Sequence, residues 1–210
     1  MIIDEKCKKC RRAGEKLFLK GERCFTPKCA FTRKPYPPGI LSSERKHRSS
    51  VTEYGIQMKE KQKVRNTYRI SEKQFSNYVE KATEKKGATP AEALYTSLES
   101  RLDNVVFRAG FAVSRALARQ MVAHGHIVVN GRKNTVPSRA LTVGDVVSVR
   151  EGSKSSKLFE AFGEKLKNVK TPAWLKVDAD KFSITLQGKP VSAPGESTFN
   201  LTAVVEFYSR

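Results

Sequence analysis

Four cysteines, Cys7, Cys10, Cys24 and Cys29, lie close together near the amino terminus, spaced C-x2-C-x13-C-x4-C. Two close pairs separated by a short loop can wrap one tetrahedral ion, and four thiolates suit Zn2+, which adds order without redox chemistry. Two disulfides would use the same sulfurs, but a basic cytoplasmic protein disfavours them. An iron–sulfur cluster is a minor alternative. A catalytic metal is not expected, because four protein ligands leave no open position for water. The spacing therefore predicts a zinc knuckle, in which the ion folds a segment too short and too polar to hold itself together.

The rest of the chain offers little for catalysis. The histidines are His47, His124 and His126. Asp103 beside Asn104 reads as a local structural pair. Asp178 and Asp180 sit together without neighbours that suggest metal or acid–base chemistry. No acid, base or nucleophile is recognisably positioned, so an enzyme is not expected.

Positive charge is what the sequence has in excess. Lys and Arg number 40 against 21 Asp and Glu, a net charge of +19 with a pI near 10.0. That balance favours a polyanionic partner. A membrane surface is a weaker fit, since no long apolar run and no dominant basic amphipathic helix is present. Met1-Ile2-Ile3-Asp4-Glu5 leads straight into a charged run, unlike a signal peptide, so a cytoplasmic location is expected. The excess concentrates in residues 1–50 and 101–150, and a single RNA footprint spanning both is the simplest expectation. In the first block, Lys8, Arg11, Arg12 and Arg23 surround the cysteines, followed by Arg33, Arg45, Lys46 and Arg48. Pro35, Pro37, Pro38 and Gly39 block regular structure there, so residues 31–50 are expected to lie extended on RNA. Tyr36 is a candidate either to stack on a base or to cover a neighbouring helix.

The second basic block, Ser100 to Arg150, has the strongest pattern. Leu102, Val105, Val106 and Ala109 recur at helical spacing, with Arg101 and Arg108 off that stripe. Gly110 is a stop. Ser114 can cap a second helix with Leu117, Met121 and Val122 inward, and Gly125 ends it. Ile127-Val128-Val129 is β-prone, Asn130-Gly131 is a strong hairpin turn, and Gly144-Asp145 launches Val146 to Val149. The product is a helix-helix-strand-turn-strand unit, a rigid scaffold for phosphate contacts. Arg101, Arg108, Arg115, Arg119 and Arg132 are the expected phosphate ligands. Ser114 joins the candidate set, and His124 and Asn130 are candidates for sugar or base edges.

Around this unit the pattern is mostly helical. Ser50-x-x-Glu53 and Ser71-x-x-Gln74 read as capping boxes, and Thr89-Pro90-Ala91-Glu92 as a third helix start. Val51 to about Asn66 reads as one helix. Phe75, Tyr78, Val79 and Ala82 give the next its buried face, and Gly87 ends it. Leu94 and Leu98 continue the third. Further on, Gly152 to Ser156 reads as a flexible linker, and Leu158, Phe159, Phe162 and Leu166 as a helix. Trp174 is expected to be mostly buried, with a strand or packing segment at 173–177. Phe182, Ile184 and Leu186 alternate as in a half-exposed strand. Val191 to Leu201 reads as loop, and residues 204–210 as an apolar, β-prone tail that docks on the helical part.

Residues 101–150, above all FAVSRALARQMV followed by HGHIVVNGR, resemble a small RNA-binding module named after a bacterial ribosomal protein. Nearly the whole chain is similar to the bacterial-type small-subunit ribosomal protein number four family, in its zinc-containing form. The resemblance rests on Leu19-Lys20-Gly21-Glu22-Arg23-Cys24, Pro27-Lys28-Cys29-Ala30 and Pro35-Tyr36-Pro37-Pro38-Gly39. Glu60-Lys61-Gln62-Lys63, Ile70-Ser71-Glu72-Lys73-Gln74-Phe75 and Ser100-Arg101-Leu102-Asp103-Asn104-Val105-Val106 extend it, with His124 to Arg132 and Val205 to Arg210. It implies a primary binder of small-subunit rRNA at a multi-helix junction of the 5′ domain. It further implies a role in nucleating assembly and a place near the mRNA entry path, with an influence on decoding accuracy. Ribosomal proteins number five and number three would be neighbours, and its own operon mRNA a possible second target. The chain departs from the family after Gly39, where Ile40-Leu41-Ser42-Ser43 replaces a frequent Gln-His-Gly. Residues 153–170 and 187–200 match only loosely.

The expectation is thus an α+β protein. A mostly helical body formed by both chain ends carries the zinc knuckle (residues 1–48) and helices 49–99. The RNA-binding module spans 100–152, and residues 153–210 add a helix, strands and a tail that docks on the body. The protein is expected to be monomeric outside the ribosome. The alternative functions are an RNA-modifying enzyme or a translational repressor using the same module.

Overall fold

The computed structural model describes residues 5–39, 50–156, 159, 171–178, 180–191 and 199–209. The chain divides into two units, Met1–Leu94 together with Ala193–Arg210, and Tyr95–Ser192. The expected helix at 158–166 lies outside the described residues except for Phe159, which is buried, and most of the expected loop at 191–201 lies outside them as well.

The first unit begins with helix α1 (Lys6–Ala13), a 3-10 turn (Gly21–Cys24) and helix α2 (Ala30–Arg33). Cys10, Leu17 and Leu19 are its small core, with Ala13 and Phe31 packed on them. Helix α3 (Glu53–Tyr68) follows, then α4 (Glu72–Glu84) and the start of α5 (Pro90–Glu99). The cap of α3 is Thr52, whose side chain accepts from the Gly55 amide, so the box expected at Ser50 is displaced by two residues. Ser71 caps α4 as expected. Thr89 and Glu92 cap α5 reciprocally, each side chain accepting from the other's amide. The chain then returns as helix α9 (Leu201–Tyr208), with Asn200 accepting from the Ala203 amide. The β-prone tail is therefore a helix: its cap and its packing on α3 and α4 override the strand preference of Val204, Val205 and Phe207. Lys61, Phe75 and Glu72 receive it. Phe75 meets the Tyr208 ring edge-on, and the Lys61 ammonium lies 4.6 Å from the Phe207 ring centroid.

The second unit holds helices α6 (Leu102–Arg108) and α7 (Arg115–Ala123), a short helix α8 (Glu151–Lys154) and a five-stranded antiparallel sheet. The strands are β1 (Ile127–Val129), β2 (Arg132–Lys133), β3 (Val146–Val149), β4 (Leu175–Asp178) and β5 (Ser183–Leu186), in the spatial order β2-β1-β3-β5-β4. Asn130 and Gly131, at φ 49 and 77, make the tight turn between β1 and β2. Val147 faces Ile184 across the β3–β5 pair, so the later strands extend the same sheet and the unit runs past residue 152. Ile127, Val129, Val147, Val149, Ile184 and Leu186 alternate inward against α6 and α7, and Trp174 closes the core at 8 % exposure. The expected flexible linker after Gly152 begins instead in α8: Ser153 is buried, and its hydroxyl lies 3.0 Å from His126 Nδ1.

Candidate nucleic-acid interface

The arginines of the second unit are held from below by acids. Glu99, fully buried at the end of α5, is forked by Arg108, whose Nε and Nη2 donate to its carboxylate at 2.8 and 3.0 Å. Asn104 donates to the same carboxylate at 2.8 Å and accepts from Arg115 Nε at 2.8 Å. The Arg115 guanidinium also lies over the Phe107 ring, 4.5 Å from its centroid. Asp103 carries a second fork, from Arg101 Nε and Nη2 at 3.0 and 2.7 Å, and Arg119 approaches it at 3.9 Å. Four guanidinium groups thus share two buried carboxylates, and the cluster keeps a positive surplus. Arg108, Arg115 and Arg119 remain half-buried, with their side chains 22, 17 and 28 % exposed. Such forks fix planar groups in direction.

Arg101 corrects the sequence expectation. It is 1 % exposed, and its guanidinium is committed to Asp103. The segment 137–141 covers it: the amides of Leu102 and Asp103, at the start of α6, donate to the Arg139 and Pro137 carbonyls. Asp103 and Asn104 are structural as expected, each anchoring an arginine rather than bonding to the other. Ser114 is buried and spends its hydroxyl capping α7. Asn130 is exposed, yet its amide donates to Asp145 at 2.7 Å and its oxygen accepts from the Val146 amide, so it ties two turns together. Burial works against ionisation of Asp145, but hydrogen bonds from Thr142 and Asn130 hold its carboxyl below the ordinary value. Arg132 and His124 are exposed, as are Lys133, Arg139 and Arg150, which the candidate set omits. Glu99 was also missed. Its one signal in sequence is that it falls a turn after Tyr95, on a buried helical face.

In the amino-terminal segment, Lys8, Arg12, Arg23 and Arg33 are exposed, and Lys8 pairs with Glu5. Arg11 is a clamp instead. Its Nε donates to the Lys34 and Tyr36 carbonyls at 3.1 and 2.9 Å, and its guanidinium lies over the Tyr36 ring. Tyr36 accordingly covers α1, and Arg11 fastens the proline segment to that helix. Arg45, Lys46 and Arg48 lie outside the described residues.

The four cysteines carry free thiols. Among the described residues no three of His, Cys, Asp and Glu gather closely enough to hold a metal ion. The donor chemistry nevertheless suits a soft, thiolate-binding ion. Burial pushes the Cys10 thiol up, and the neighbouring cysteine sulfurs act in the same sense, while the Leu17 amide opposes them. Burial acts on Cys29 in the same sense, but amides of Thr32 and Phe31 donate to its sulfur and hold the thiol below its ordinary value. N–H groups aimed at sulfur favour a thiolate.

Comparison with known proteins places this arrangement. Residues 2–99 match the family described as ribosomal protein S4/S9 N-terminal domain, and residues 100–147 match the S4 domain. The chain is 47% identical over 207 residues to the small ribosomal subunit protein uS4 of Syntrophomonas wolfei, covering 99% of this chain and 98% of that one. It is 47% identical over 208 residues to uS4 of Halothermothrix orenii and of Thermus thermophilus, covering 97% of this chain and 96% of each. The chain belongs to the uS4 family of small ribosomal subunit proteins.

Proposed function

We infer that this protein is a structural constituent of the small ribosomal subunit that binds small-subunit rRNA directly and is not an enzyme. The observation that carries this is the cluster of arginines anchored on Glu99 and Asp103 within a chain matched end to end by uS4 proteins. Guanidinium groups set by buried carboxylates offer phosphate contacts without being ordered anew on binding. Arg108, Arg115, Arg119 and Arg132 are the proposed contacts of the second unit. Lys8, Arg12, Arg23, Arg33, Arg45, Lys46 and Arg48 are those of the amino-terminal segment.

The finer reading follows the family resemblance. The proposed target is a multi-helix junction of the rRNA 5′ domain, where binding nucleates assembly. The site in the subunit would lie near the mRNA entry path, beside ribosomal proteins number five and number three, with an effect on decoding accuracy. The protein's own operon mRNA is a further candidate target. The protein would work in the cytoplasm, inside the ribosome, and be monomeric outside it. No helix among the described residues is long and apolar enough to cross a membrane.

Cys7, Cys10, Cys24 and Cys29 would hold one Zn2+. The ion would supply structure only, closing a segment whose own core is Cys10, Leu17 and Leu19. Elemental analysis of protein purified under reducing conditions tests this. One zinc per chain is expected, lost in Cys10→Ala, and bound iron in its place would overturn it.

The functional test is binding of the metal-loaded protein to the 5′ domain of small-subunit rRNA at fixed salt, against transfer RNA and random duplex. Tight binding that survives both competitors is expected. Equal binding to all three would leave only a general basic RNA binder.

A further inference from the structure

Leu17 and Leu19 are buried, but Phe18 between them is turned outward to 43 % exposure, with its backbone in the left-handed region at φ 50. Side chains other than glycine rarely adopt that conformation. Phe25, at the end of the 3-10 turn, is 74 % exposed, the highest value among large apolar side chains of the described residues. The two rings stack, with centroids 4.9 Å apart and planes 27° from parallel. Neither ring contributes to the small core of Cys10, Leu17 and Leu19. An unusual backbone conformation therefore presents aromatic surface to solvent, where the pair stacks on itself but buries little apolar area in the free protein.

Charge indicates what covers it. Lys20, Arg23 and Lys28 are exposed within a few residues of Phe18 and Phe25 and outnumber the acid there, Glu22. A flat apolar face in a segment with exposed cations close by in sequence fits a base with phosphates on either side of it, and unpaired bases stack on such rings. We propose that the Phe18–Phe25 pair is a stacking platform for an unpaired nucleobase of the bound RNA, with Lys20, Arg23 and Lys28 receiving the flanking phosphates. This rests on the rRNA-binding function above and adds the contact by which the amino-terminal segment would prefer a single-stranded site over duplex.

The full-length, metal-loaded protein, Phe25→Leu and Phe25→Tyr are compared for binding to the rRNA 5′ domain at several salt concentrations. Phe25 is so exposed that both variants should keep the fold, which circular dichroism checks. Phe25→Leu is expected to weaken binding about 5- to 150-fold, the range for losing one base–aromatic stack. The slope of affinity against salt should stay the same, because stacking releases no counterions. Phe25→Tyr should keep the original affinity, and ultraviolet crosslinking should attach a nucleotide to the peptide carrying Phe25. Undiminished binding by Phe25→Leu, or an equal loss in Phe25→Tyr, overturns the platform while leaving rRNA binding intact. A crosslink from Phe25 to a neighbouring protein in assembled subunits overturns it as well. Failure of the unchanged protein to bind the rRNA overturns the functional proposal and the platform together.

Discussion

Arginines in one sequence run divide sharply in role once their partners are known. Arg101 and Arg132 look alike in the chain, yet Arg101 is buried on Asp103 while Arg132 is exposed on β2. Arg101→Ala would remove the close fork on a buried carboxylate and leave it the longer contact to Arg119. A loss of about 3–5 kcal/mol is expected in denaturant unfolding, as for other broken buried pairs. Arg132→Ala should leave stability unchanged and instead lower the salt slope of rRNA binding by about one. The opposite outcome for either variant would reverse the assignment. Position in sequence could not separate the two, because the sorting agents, Glu99 and Asp103, act through the fold. The Glu99 fork reaches nine residues along the chain to Arg108, beyond any helical i,i+4 relation. The four cysteines, by contrast, stand out in sequence by their spacing, and the proposal that they share one ion rests on that spacing.

At the scale of elements, the docking of α9 has its own chemistry. Lys61 Nζ and the Tyr208 hydroxyl donate to one oxygen of Glu72 at 2.6 and 2.7 Å, and Arg65 reaches the other at 3.0 Å. Burial opposes ionisation of Glu72, but the hydrogen bonds from Lys61 and Tyr208 and the Lys61 and Arg65 charges hold its carboxyl below the ordinary value of 4.5. Burial and the Glu72 carboxylate push the Tyr208 phenol up, so it remains a donor. A depressed carboxylate stabilises the fold fully above its unfolded pKa and loses that contribution as pH falls through the folded one. Melting temperature should therefore fall with acid from about pH 4.5 downward, less steeply in Glu72→Gln. Equal acid dependence in the two proteins would remove Glu72 as a latch. The same helix shows where the chain was readable and where it was not. Helices α3 to α7 announce themselves by caps and spacing, and β1 and β3 by β-branched runs and turn pairs. In α9, valines and aromatics bias local preference toward strand, and the deciding contacts with Phe75 and Lys61 come from more than a hundred residues earlier. Asn200 was the available sign of a helix start.

For the whole molecule, a net charge of +19 makes salt the controlling variable. Affinity for rRNA should fall along a straight line in log–log form, with a slope set by the number of phosphates neutralised. A weak or curved dependence would argue that fewer cations engage than the exposed set suggests. If the cysteines hold Zn2+ as proposed, the two units should respond differently to its removal. Chelation is expected to reduce helical circular dichroism from α1 while the emission of Trp174, buried in the other unit, stays constant. A simultaneous change in both signals would contradict independent cores.

The first unit is assembled from two distant stretches, and the second is the uninterrupted run between them. Timing during synthesis follows from that. The strand-bearing unit has all its parts once Ser192 has been made, whereas the helical one waits for α9, whose Val204 is fully buried in the finished protein. A nascent chain stalled before Leu201 would hold a mature sheet beside an open seam of apolar surface.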